Sequence, residues 1–264
     1  MWKKHQKIRQ QKAMERIDMS KLKAVILAAG KGTRMKSDLP KVLHEINGKP
    51  MVEYVIEAAR AAGAEEICLV VGHKAELVKE RVGDGVTYVL QEQQLGTGHA
   101  VKCAMNFIGT EGDTMILCGD TPIITGKTLD ELIAYHRLYD LKVTVLSTIL
   151  EDATGYGRIV RDAEGNFLRI VEQKDATPEE QAIREINSGM YVFQSAALSD
   201  SLTKLKNENA QKEYYLTDTI EIINRENRTG GIVVGAMATE NADETRGVNT
   251  TEQLAEAAEI INHR

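Results

Sequence analysis

The chain has 264 residues, a formal net charge of −6 and three cysteines. That length is enough to bury a sizeable core and suits one α/β unit with insertions. The mild acidity excludes an overall electrostatic bias toward nucleic acid, and no apolar run is long enough to span a membrane. Cys68, Cys103 and Cys118 stand far apart and lack zinc-ligand spacing, which points to reduced thiols and a cytoplasmic protein.

Residues 1–21 are basic but lack the apolar segment of a secretory signal. They read as a solvated arm ahead of a single domain over 22–264. A strand is expected at 23–27, followed by a polar, glycine-containing loop. Apolar residues at helical spacing predict a helix over 48–63, stopped at Gly63. Next come a buried strand at 65–72, a charged helix at 74–83 and a strand at 86–90. A helix follows the glycines of 96–108. The run "DTMILCGD" is a buried strand ending at Asp120, with a helix over 126–139 and a strand over 142–150 behind it. This alternation predicts a mostly parallel sheet with helices on both faces.

The pattern changes after Leu150. Two strand-like runs joined by "DAEGN" signal an added β-hairpin over 157–173. "EINSGMYVF" reads as a strand returning to the main sheet. Helices at 196–205 and 215–226, a strand at 231–237 and a helix over 249–264 complete the chain. Thr250 and Gln253 have capping-box spacing at the start of that last helix.

The stretch "LAAGKGTRMKSDLPKVLH" behind the first strand carries the strongest functional signal. A dinucleotide loop needs a third glycine where Met35 stands, which disfavours a dehydrogenase. The P-loop spacing is matched at neither Gly-Lys pair. What remains is an open cationic loop. Leu27, Ala28, Ala29, Gly30 and Gly32 allow backbone N–H groups to approach a nucleotide. Arg34 offers a bidentate phosphate fork, and Lys41, just behind Pro40, offers a point charge. Outside this setting both would read as ordinary surface cations.

This stretch resembles the signature of the sugar-1-phosphate nucleotidyltransferases. "LQEQQLGTGHA", "CGDTPII", "TGYGRIV", "VEQKDAT", "EINSGMYVF", "EYYLTD" and "GVN" follow in the family's order, from about residue 22 to 250. Within the family the chain is most similar to the uridylyltransferases of N-acetylglucosamine 1-phosphate, the pyrophosphorylase half of a bifunctional bacterial enzyme. The resemblance implies a Rossmann-like α/β sandwich and Mg²⁺-dependent transfer from UTP to a sugar 1-phosphate, with release of pyrophosphate.

The resemblance also implies residue roles. Arg34 grips the leaving pyrophosphate and Lys41 neutralises the reacting phosphates. Asp120 and Asn249 bind Mg²⁺; the bland alternatives are a Gly-Asp turn and a helix cap. Gln91, Gly96 and Thr97 meet the uracil. Gly157, Glu172 and Asn187 surround the sugar, with Tyr215 and Thr217 near its phosphate. Cys118 stands where a tyrosine precedes Gly-Asp in one form of the motif. His99 reads as a structural helix-face histidine, because phosphoryl transfer to an anionic nucleophile needs no general base. No hexapeptide repeats of a left-handed β-helix are present, so the expected state is a monomer without acetyltransferase activity. Two alternatives stay open: a different sugar 1-phosphate, or a non-catalytic nucleotide-sugar sensor.

Overall fold

A computed structural model describes residues 21–30, 32–227 and 230–264. Of the basic arm read from residues 1–21, all but Lys21 lies outside the described residues.

Among the described residues eleven strands form in chain order. They are β1 (Leu22–Ala28), β2 (Glu45–Ile46), β3 (Lys49–Pro50), β4 (Glu66–Val71), β5 (Thr87–Leu90) and β6 (Asp113–Cys118). After these come β7 (Val143–Ile149), β8 (Arg158–Arg161), β9 (Phe167–Val171), β10 (Glu185–Gln194) and β11 (Val234–Ala238). The helices are α1 (Met51–Ala61), α2 (Ala75–Val82), α3 (Thr97–Cys103), α4 (Met105–Ile108) and α5 (Gly126–Leu138). They continue with α6 (Pro178–Gln181), α7 (Ser195–Leu202), α8 (Asp218–Arg225) and α9 (Thr251–Asn262).

The main sheet has the order β11-β7-β10-β6-β1-β4-β5. β1 pairs in parallel with β4 and β6, β4 with β5, and β7 with β11. β10 runs antiparallel between β6 and β7. The hairpin β8–β9 attaches to β10 where Ile186 pairs with Arg158. The sheet is therefore mostly parallel, as the alternation implied, and carries the added hairpin; the reversal of β10 is not part of that reading.

Period-two alternation divides β1 between two cores. Ala24, Ile26 and Ala28 pack with Val52, Val55 and Ala59 of α1 and with Leu129 and Leu132 of α5. Val25 packs on the other face with Val101 of α3, Leu198 and Leu202 of α7 and Ile220 of α8. Gly63, at φ +89°, ends α1, and the Ala64 N–H then reaches the Ala59 carbonyl at 3.0 Å, closing a Schellman turn. Gly126 lets α5 approach α1: a Cβ there would lie 2.6 Å from Ala61 Cβ.

Four expected boundaries move for identifiable reasons. The helix read over 96–108 breaks at Ala104, whose N–H bonds to the Val101 carbonyl and tightens the turn. α8 begins at Asp218 rather than Tyr215, because the N–H groups of Asp218, Thr219 and Ile220 bond three residues back, to the carbonyls of Tyr215, Leu216 and Thr217, as a 3₁₀-type turn. β11 starts at Val234, where the bond from the Val143 N–H to the Val233 carbonyl opens the parallel ladder with β7. α9 starts at Thr251 because Thr250 is its N-cap.

Candidate active site

The carboxyl ends of β1, β4, β5 and β6 share one edge of the sheet, the place where open α/β sheets receive ligands. The amino-terminal residues of the reversed β10 join them there. Backbone crowding fixes this edge. The Gly119 N–H donates to the Leu27 carbonyl at 3.0 Å, and a Cβ at Gly72 would lie 2.9 Å from Ala29 Cβ.

The glycine loop leaves β1 at Ala28. The Ala29 carbonyl accepts from Gln94 Nε2 at 2.6 Å, which ties the loop to the segment behind β5. Gly32 has φ +62°, and a Cβ there would come within 2.5 Å of Lys41 Cβ. Gly30 is different: nothing lies within 4 Å of the Cβ position, so its freedom faces open space. Met35 is buried and anchors the short 3₁₀ turn Thr33–Met35. The position where a dinucleotide loop would need a third glycine is thus a hydrophobic anchor. Behind it, Val42 and Leu43 are buried in a second 3₁₀ turn, Lys41–Leu43, and Lys41 projects from its start.

Four charged or polar groups meet here. Lys41 Nζ forms an ion pair with Asp120 Oδ2 and donates to Asn249 Oδ1 at 2.6 Å. Arg34 Nη2 donates to the same Asn249 oxygen at 2.7 Å. Asp120 lies just beyond β6, and its carbonyl accepts from the Val248 N–H at 2.8 Å, which joins the two chain segments. Asn249 is oriented twice over. Its Nδ2 donates to the Gly247 carbonyl at 3.0 Å, so its carbonyl oxygen faces the cations. Its backbone N–H donates to Gln253 Oε1 at 2.7 Å. Helix capping belongs to Thr250, whose hydroxyl accepts from the Gln253 N–H. Gln253 is a positioning residue that the sequence reading missed. The capping-box spacing marked it, but its side chain reaches one residue further back than such a box requires.

These groups also suit a divalent cation. A carboxylate oxygen and an amide oxygen, both hard donors, already converge on one ammonium. The Cβ position of Gly247 lies 3.6 Å from both Asp120 Oδ2 and Asn249 Nδ2, an ordinary contact distance, so the fit to a cation rests on the two oxygen donors themselves. Among the described residues no group of three or more His, Cys, Asp or Glu could hold a metal. A cation held here would take few protein ligands and share others with phosphate and water, the usual habit of Mg²⁺.

On the second wall Gln91 is buried. Its Nε2 lies 3.2 Å from the Gly96 carbonyl and 3.1 Å from His99 Nδ1. Gly96 has φ +106°, and its Cβ position lies 2.6 Å from the Tyr214 carbonyl. Its freedom is therefore used in packing against the "EYYLTD" segment. Thr97 Oγ1 accepts from the Leu216 N–H at 3.1 Å, so it too ties these loops together.

The third wall gathers Gly157, Glu172, Asn187 and Thr217. The Gly157 carbonyl accepts from the Asn187 N–H at 2.9 Å. Glu172 accepts from the Thr217 hydroxyl at 3.0 Å. Burial raises the Glu172 carboxyl above its ordinary range, against the lowering effect of that hydrogen bond. Asn187 Nδ2 donates to the Tyr191 hydroxyl at 2.8 Å, and its Oδ1 accepts from the Gly189 N–H. Tyr215 lies on the same wall with its hydroxyl held by Asp175 and Gln211. The structure does not bring it to the Lys41 cluster. Arg158 carried no signal in the sequence. Its buried guanidinium meets the carbonyls of Tyr156 and Ile183 and the Gln173 amide oxygen, and so holds the ends of the hairpin.

A mostly parallel sheet that gathers a glycine loop, two convergent cations and a carboxylate–amide pair at its strand ends defines a nucleotide-handling α/β protein. The Nucleotidyl transferase family matches residues 23–236, and the chain belongs to that family. It is 51% identical over 246 residues to the "Bifunctional protein GlmU" of Caldanaerobacter subterraneus subsp. tengcongensis, covering 93% of this chain and 53% of that protein. It is 52% identical over 250 residues to the protein of the same name from Pelobacter propionicus, with the same coverage. The chain spans about half the length of the curated relatives it matches. Among solved structures, a UDP-glucose pyrophosphorylase complexed with UDP-glucose superposes with a TM-score of 0.73 at 20% identity, covering 93% of this chain and 99% of that one. That likeness is one of fold.

Proposed function

We propose that the chain transfers uridylyl from UTP to N-acetylglucosamine 1-phosphate, yielding UDP-N-acetylglucosamine and pyrophosphate. The observation that carries this reading is the convergence of Arg34 and Lys41 on Asn249, beside Asp120. An oxygen of the sugar 1-phosphate attacks the α-phosphorus of UTP. A new P–O bond forms as the bond to the bridging α–β oxygen breaks, and its electron pair leaves with pyrophosphate. The nucleophile is already an anion, so positioning and charge neutralisation do the catalytic work.

Each residue then has a place in that scheme. The backbone from Leu27 to Gly32 lies along the nucleotide, and Arg34 holds the leaving pyrophosphate. Lys41 neutralises charge on the reacting phosphates. Asp120 and Asn249 would hold Mg²⁺, which would supply further charge neutralisation to the phosphate oxygens. Gln91 reads the base beside Gly96 and Thr97. Gly157, Glu172, Asn187 and Thr217 line the sugar, with Tyr215 behind them. Three free cysteines, with burial pushing the Cys68 thiol up to about 12, suit a reducing cytoplasm. Among the described residues no helix is long and apolar enough to cross a membrane.

The test is pyrophosphate release across a matrix of nucleoside triphosphates and sugar 1-phosphates, with and without Mg²⁺. Turnover confined to UTP, N-acetylglucosamine 1-phosphate and Mg²⁺ is expected. Release with another pair replaces the substrate assignment. UTP binding without turnover on any acceptor replaces the enzyme with a sensor.

A further inference from the structure

His99 takes no part in the transfer chemistry, yet its ring is held in a chain of contacts that ends at the base-reading residue. The chain begins at the Gly96 carbonyl, which can only accept. The Gln91 atom 3.2 Å away must therefore be the amide nitrogen, not the oxygen. That nitrogen carries a second hydrogen, and the next polar atom, at 3.1 Å, is His99 Nδ1. Nδ1 must then offer a lone pair, so the ring proton sits on Nε2. Nε2 faces Cys103 Sγ at 4.0 Å, four residues further along α3. Burial raises the Cys103 thiol, which keeps it neutral and able to accept weakly. Both amide hydrogens of Gln91 are thereby committed. No hydrogen bond among the described residues reaches its Oε1, and that oxygen is not one of the buried polar atoms left without a partner, so it faces open space.

We infer that His99 is a specificity-positioning residue: with Gly96 it locks the Gln91 amide so that only the carbonyl oxygen faces the base. This inference rests on the uridylyl-transfer reading above. A fixed acceptor matches the N3–H of uracil. Cytosine presents a lone pair at N3, which would oppose a second lone pair. A free glutamine amide could turn over and satisfy either base, whereas a locked one cannot. Discrimination between UTP and CTP therefore depends on a histidine that touches neither.

The test compares two variants with wild type for pyrophosphate release from UTP and CTP. His99→Phe keeps ring volume and removes the acceptor. His99→Asn restores an acceptor near the Nδ1 position. H99F should raise the UTP KM about five- to tenfold, the scale of one lost hydrogen bond, with kcat changed less than twofold. It should also lower the UTP-over-CTP ratio by a similar factor, while H99N recovers most of both. Nitrogen-15 NMR of the wild-type ring, which needs no variant to fold, should show Nε2 protonated and Nδ1 bare. A selectivity ratio unchanged in H99F, equal losses in H99F and H99N, or a ring protonated at Nδ1 each overturns the histidine's role alone. A wild-type chain inactive with UTP overturns the uridylyl reading and this inference with it.

Discussion

Lys41 Nζ donates to Asn249 Oδ1 at 2.6 Å across 208 residues of sequence. The contact joins the start of the fold to its last turn before α9. It also makes one amide oxygen serve two purposes, because Arg34 donates to the same atom. An asparagine does this without adding negative charge beside a triphosphate. Asn249→Ala should therefore raise the Mg²⁺ concentration needed for half-maximal pyrophosphate release about tenfold or more, on the scale that outer and inner ligand losses produce. A magnesium titration unchanged in N249A would remove this residue from the metal site.

Lys41→Ala separates charge neutralisation from folding. The Lys41–Asp120 pair is partly exposed, and such a pair is worth only about 0–1 kcal/mol to stability. Loss of a preorganised donor at a reacting phosphate costs about 2.7–4 kcal/mol, or roughly a hundred- to thousandfold in rate. K41A should melt within a few degrees of wild type and turn over at about a hundredth of its rate or less. Near-wild-type turnover would take Lys41 out of the mechanism.

The two glycines of the loop should fail in different ways. At Gly32 an added methyl meets Lys41 Cβ at 2.5 Å, and the backbone is left-handed. Gly32→Ala should cost about 1–3 kcal/mol of local strain and displace Lys41, so stability and kcat fall together. At Gly30 nothing in the protein opposes a methyl. Gly30→Ala should leave the melting temperature unchanged and raise the UTP KM, because only a bound nucleotide meets the added group. A G30A enzyme with an unaltered KM would mean the nucleotide does not pass there.

The period of each apolar run makes the α/β alternation readable, and the glycine spacing alone excludes two common phosphate loops. β10 shows where such reading stops. "EINSGMYVF" reads as a strand, but nothing local states that it enters the sheet in reverse between β6 and β7; that depends on non-local pairing. The contacts that Gly96 and Thr97 make within the fold are hidden for the same reason, since Tyr214 and Leu216, more than a hundred residues onward, are what they touch. Lys41, Arg34, Asp120 and Asn249 are legible as candidates because each stands in a short motif of its own, and the fold brings the four together. Gln253 and His99 are not, because each acts through a neighbour brought to it by folding.

Asp218 gives a prediction in pH. Burial is the largest cause pushing its carboxyl up to about 6, reinforced by Glu221, Glu172 and Asp175. In the unfolded chain an aspartate titrates near 3.9. Between those values the folded state holds the proton more tightly, so stability falls as pH rises from about 4 to about 6. Above that window the charged carboxylate weakens the fold. A shift of about two units corresponds to roughly 3 kcal/mol, and partial exposure reduces it to about 1–2 kcal/mol. Asp218→Asn stays neutral throughout. At pH 7 it should melt about 2–6 °C above wild type, and below pH 4 the two should melt together. A D218N melting temperature equal to or below wild type at pH 7 would show that this carboxylate is stabilised by partners rather than strained by its neighbours.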